Sequence, residues 1–127
     1  MSRIYPFARW GLAMALLAVL IAAPEASAKH GPKTKGPLVD VVLTDDAIHM
    51  PAVLKEGWVT FRITNNGYYT HSISAQGRKR IYALAVSLAP GQTVLVPIKL
   101  GKGTYRVWDP VEDNAARGLR ATVVVKG

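Results

Sequence analysis

The chain reads as an all-β sandwich or barrel, and three observations predict it. Apolar residues recur at two-residue spacing through most of the chain, Gly, Pro, Asn and Asp clusters break the runs, and no long stretch carries a helical period. Alternation of this kind is what a half-buried strand needs, because successive side chains point to opposite faces. Short strands separated by turn residues then favour two packed layers over any helical arrangement.

The first element is an address label. Arg3 and Arg9 precede an apolar run from Gly11 to Ala23, Pro24 ends it, and Ala26-Ser27-Ala28 supplies the small residues of a cleavage site. The run falls short of the roughly 20 residues that span a bilayer, so residues 1–28 are expected to be a cleaved signal peptide and the protein periplasmic or secreted, with no transmembrane segment after cleavage. Residues 29–37, KHGPKTKGP, mix Gly, Pro and Lys without a period and are expected to be a flexible lead-in.

The domain proper is expected over residues 38–127. Strands follow the alternating sets Val39, Val41, Leu43; Val59, Phe61, Ile63; Val94, Val96, Ile98, Leu100; Tyr105, Val107; and Ala121, Val123, Val125. Asn65-Asn66-Gly67, Pro90-Gly91, Gly101-Lys102-Gly103 and Asp109-Pro110 are the turns between them. PIKLGKGTYRVW reads as a hairpin, because glycines at 101 and 103 permit a tight antiparallel connection, so the strands near Val94 and Thr104 are expected to pair. Between Ile81 and Leu88 the alternation blurs, and an irregular strand or one helical turn both fit. Trp58 and Trp108 fall on the polar parity, which places at least one of them in part at the surface.

Composition narrows the chemistry. With no cysteine, the chain has no disulfide, no thiolate nucleophile, no thiolate-bound zinc or iron–sulfur cluster and no ordinary blue-copper site. Sixteen Lys and Arg against eight Asp and Glu give a net charge of +8. Such a protein favours encounter with an acidic exported protein or an anionic surface, nucleic acid being the lesser expectation for an exported chain. The densest basic run is GRKR at Gly77–Arg80, which also reads simply as a solvated loop. No phosphate-binding glycine loop, catalytic carboxylate pair or dinucleotide fingerprint occurs, and Ser72 and His71, adjacent on a strand, face opposite ways, so no enzyme is expected.

Two stretches carry a resemblance. DDAIHMPAVLKEGWVTFRITNNGYYTHSI is similar to the first half of the cupredoxins, the small blue-copper β-sandwiches, and LAPGQTVLVPIKLGKGTYRVWDPVEDNAARGLRATVVV to their second half. The likeness runs from about Val39 to Val125 and implies a cupredoxin-like Greek-key sandwich of two stacked antiparallel layers. It sets His71 at the first histidine ligand position, Asp109 at the cysteine, Asn114 at the second histidine and Leu119 at the axial methionine. The spacing is kept while three of the four donors are replaced, so the resemblance implies a cupredoxin-like module without a type-1 copper site and with no expected cofactor. Asp109 is then expected to face His71 as a carboxylate–imidazole pair, and the alternative is a capped turn before Pro110. Trp108, Glu112, Asp113 and Arg117 form a candidate binding loop. The remaining alternatives are copper handling in a nonstandard site drawn from His71, Asp109, His30, His49 and Met50, and a basic docking partner of a redox enzyme. Met50-Pro51 also matches the family's structural turn.

Overall fold

The computed structural model describes residues 33–127. The expected signal peptide and His30 lie outside the described residues. No helix among those described is long and apolar enough to cross a membrane.

Among the described residues nine strands form two sheets. They are β1 (Leu38–Leu43), β2 (Ile48–His49), β3 (Val53–Lys55), β4 (Gly57–Asn65), β5 (His71–Gln76), β6 (Ile81–Leu88), β7 (Thr93–Leu100), β8 (Gly103–Trp108) and β9 (Arg120–Lys126). One sheet has the order β2-β1-β4-β7 and the other β3-β9-β8-β5-β6. The two-residue period decides what lies between them. Val39, Val41 and Leu43 of β1 and Val59, Phe61 and Ile63 of β4 are buried on one side, and Ile73, Val107, Val123 and Val125 on the other. Burying each such side chain contributes about 1.5–3 kcal/mol, which is why the register is held.

The layers are not wholly antiparallel. β1 runs parallel to β4, with Leu38 opposite Thr60 and Leu43 opposite Asn65, and β3 runs parallel to β9. A parallel pair requires a crossover connection, and here β2 and β3 supply it, β2 staying beside β1 and β3 joining the second sheet.

The expected hairpin between the strands near Val94 and Thr104 does not form. β7 pairs with β4, and β8 pairs with β5 and β9. The Gly101–Gly103 link is a corner that carries the chain from one sheet to the other, and the Tyr105 hydroxyl closes it by donating to the Gly101 carbonyl at 2.9 Å. Alternation fixes which face of a strand is buried and leaves open which neighbour takes its hydrogen bonds. The ambiguous segment, Ile81–Leu88, is a strand with two register shifts against β5.

Part of the expected lead-in is tied to β4. Buried Thr60 receives the Lys35 N–H on its Oγ1 at 2.7 Å and donates that hydroxyl to the Lys35 carbonyl at 2.9 Å. The Thr60 N–H reaches the Pro37 carbonyl at 2.9 Å, and the Lys35 ammonium lies 4.2 Å from the ring centre of Trp58. A buried hydroxyl without partners is costly, so Thr60 fastens this segment where composition alone suggests a loose one.

Candidate functional site

His71 opens β5 and is 1 % exposed. Its position is set by Asn65, the buried last residue of β4. The Asn65 side chain accepts the Gly67 N–H and donates to the carbonyls of Tyr69 and Leu88, each at 2.8 Å. One amide thus folds the β4–β5 turn and ties it to the end of β6. The register shifts between β5 and β6 follow, with Ser87 at a φ of 53° and its N–H donated to the Ser72 hydroxyl at 3.0 Å. Irregularities of this kind re-aim side chains, and here His71, Ser72 and Ile73 are all buried in succession.

Both ring nitrogens of His71 meet a carboxylate. Nδ1 lies 2.7 Å from Oδ2 of Asp109, which follows β8 and is fully buried. Nε2 lies 2.9 Å from Oδ1 of Asp45, in the turn between β1 and β2. An ionised carboxylate only accepts, so both contacts are hydrogen bonds when both ring nitrogens carry protons. A positive imidazolium between two negative groups satisfies every atom in the row.

Asp109 is saturated as an acceptor. Its Oδ1 takes the N–H groups of Val111 at 2.9 Å and Ser72 at 3.4 Å, and its Oδ2 takes the Asn114 side-chain amide at 2.9 Å in addition to His71. Its own N–H reaches the Leu119 carbonyl at 3.0 Å, and the Leu119 N–H reaches the Asn114 carbonyl at 3.0 Å. The capped turn and the carboxylate–imidazole pair are therefore one structure. Asp45 accepts the N–H groups of Tyr68 and Tyr69, the former at 2.9 Å. Those Tyr68 bonds first, and the His71 ring after them, hold its carboxyl below the ordinary carboxylate range. Among the described residues no buried side-chain nitrogen or oxygen lacks a partner.

No protein-family model matches the chain, and no curated protein sequence is significantly similar to it. Solved structures are. Dithionite-reduced auracyanin from Roseiflexus castenholzii is 14 % identical with a TM-score of 0.58, covering 75 % of this chain and 100 % of its own. A variant rusticyanin is 20 % identical with a TM-score of 0.53, covering 72 % of this chain and 79 % of its own. A multicopper oxidase from Campylobacter jejuni is 10 % identical with a TM-score of 0.59; the match covers 76 % of this chain and 31 % of that one. The fold is that of the cupredoxins.

In the cupredoxin frame, the four positions that the sequence resemblance assigned come together at one end. His71, Asp109 and Asn114 are joined by hydrogen bonds, and Leu119 is fully buried and linked to Asn114 and Asp109 through backbone. The other candidates are not part of this cluster. Glu112 and Asp113 are exposed, and Asp113 pairs with Arg117 at 3.1 Å. Trp108 is half-buried, with the Arg106 guanidinium 5.9 Å from its ring centre. His49 is exposed on β2, and Met50 packs against the core. Among the described residues no group of three or more His, Cys, Asp or Glu is arranged to hold a metal ion. Asp45 was missed in the sequence: its contact with His71 depends on the parallel β1–β4 pairing, and TDDA reads only as a turn.

Proposed function

We propose that the chain is an exported cupredoxin-like binding or accessory module, not an enzyme, in which a hydrogen-bonded acid–imidazole–acid row stands in place of a type-1 copper site. One observation carries this reading: both nitrogens of His71 are engaged by the carboxylates of Asp45 and Asp109. A blue-copper centre needs two imidazoles and a thiolate, with a soft axial donor. This donor set does not fit it. Asp109 is a hard oxygen donor already accepting four hydrogen bonds, Asn114 spends its amide on Asp109, and Leu119 has no donor in its side chain. The row fastens the β1–β2 turn, the β4–β5 turn and the 109–119 loop to one another, so the end of the sandwich is a fixed surface. Loops on a rigid scaffold are where recognition resides.

The test is a Cu(II) titration of the protein purified from the exported fraction, followed by absorbance, calorimetry and imidazole NMR. The expected result is no intense thiolate-type band and no paramagnetic broadening of the His71 ring signals. Copper held by the tail would broaden His30 instead. Broadening centred on His71 overturns the reading, because it requires the carboxylates to yield the ring to a metal.

A further inference from the structure

The described residues include six arginines, and their partners divide them into two groups. Arg62 pairs with Asp40, and Arg117 with Asp113. Arg78, Arg80, Arg106 and Arg120 form no salt bridge among the described residues, and all four line one connected strip of surface. Its widest part is an open groove of about 600 Å³ on the outer face of β8 and β9, with Arg106, Trp108, Arg120 and Thr122 in its wall. Arg106 also lines a second groove with Arg78, and that one shares Arg78 with a third containing Lys79 and Lys102. No Asp or Glu lines any of the three.

We propose that this strip binds an extended acidic segment of a partner protein, with carboxylates on the arginines and an apolar side chain against Trp108. Charge complementarity gives the sign of the partner, and side-chain spacing gives its form. Arg106 and Trp108 are two residues apart on one strand and share its outer face, as do Arg120 and Thr122 on β9. The repeat of such a face, about 6.8 Å, is the repeat of alternate side chains in an extended peptide. From Gly103 to Trp108 the strip runs roughly 17–20 Å, room for about six extended residues. Guanidinium forks match carboxylates bidentately. Arg106 is already aimed, its Nη2 donating to Gln76 Oε1 at 2.9 Å.

The inference rests on the chain being a binding module and is tested separately from the copper result. The probe is a short fluorescent peptide alternating glutamate and leucine, with a lysine–leucine peptide, heparin and phosphatidylglycerol vesicles as comparisons. The glutamate peptide is expected to bind with an affinity that falls as salt rises, and to weaken about tenfold in Arg106→Gln and again in Arg120→Gln. Arg106→Lys, which keeps charge and loses the fork, is expected to lie between, and Arg62→Gln, on the other sheet, to bind as the parent does. Equal melting temperatures show that the variants fold. No peptide binding, binding indifferent to Arg106 and Arg120, or stronger capture of heparin or vesicles through the same two arginines overturns the proposal. Such a failure beside an unbroadened His71 leaves the module reading intact, whereas copper on His71 defeats that reading alone.

Discussion

Asp109 and Asp45 both bond to His71, yet their surroundings give them different consequences. Asp109 is fully buried and gathers four donors from β5 and its own loop. In Asp109→Ala the buried His71 Nδ1 loses its hydrogen-bond partner and the Val111 and Ser72 N–H groups lose their acceptor. Equilibrium urea denaturation is expected to register a loss of about 3–5 kcal/mol, and a loss under about 1 kcal/mol would mean the row does not hold the loop. Asp45 is partly open to solvent and acts through its charge state. Its carboxyl is held below the ordinary carboxylate range in the fold, chiefly by the Tyr68 N–H. A depressed folded value contributes stability that is complete above the unfolded carboxylate range and is lost as pH falls through the folded value. The stability gap between the parent and Asp45→Asn is therefore expected to be full at pH 6 and to narrow below about pH 4. A gap that widened on acidification would refute this. Of the row, His71 and Asp109 were legible in the sequence through the family spacing. Asp45 was not, since no local pattern points from residue 45 to residue 71.

At the scale of elements, turns carry the organisation that strands alone leave open. The 109–119 loop turns on Gly118, whose φ is 126°, and a Cβ built there would collide with the Asp46 carbonyl oxygen. That contact is how the loop seats against the β1–β2 turn that bears Asp45. Gly118→Ala combines a conformation foreign to L-residues with a backbone clash, so a cost of about 1–3 kcal/mol is expected, read as a fall in thermal midpoint. The His71–Asp45 contact should loosen with it, visible as a change in the imidazole NMR signals. An unchanged midpoint would show that the turn yields freely. The same reasoning explains the misplaced hairpin. Gly101 and Gly103 announce a sharp change of direction, and a tight hairpin and a corner between sheets present the same signal. Only the competition for hydrogen-bond neighbours, β4 for β7 and β5 with β9 for β8, separates them.

Across the whole molecule, charge and apolar pattern act on different surfaces. The interior is set by alternating Val, Ile, Leu and Phe, and the excess of cations has no place there. It collects outside, and four arginines that form no salt bridge among the described residues fall on one strip because β8, β9 and the β5–β6 turn lie side by side in the second sheet. The GRKR run was visible in the sequence; its continuity with Arg106 and Arg120, far along the chain, was not. By itself the sequence determined the all-β class, the buried face of β1, β4, β7, β8 and β9 and the absence of thiolate chemistry, because these depend on residue type and two-residue spacing. Tertiary structure alone decided the parallel β1–β4 pairing, the corner at Gly101–Gly103, the second carboxylate on His71 and the assembly of the basic strip. Each of these is a meeting of distant segments, chosen by which arrangement satisfies all the buried polar groups at once, and no short window of sequence contains that choice.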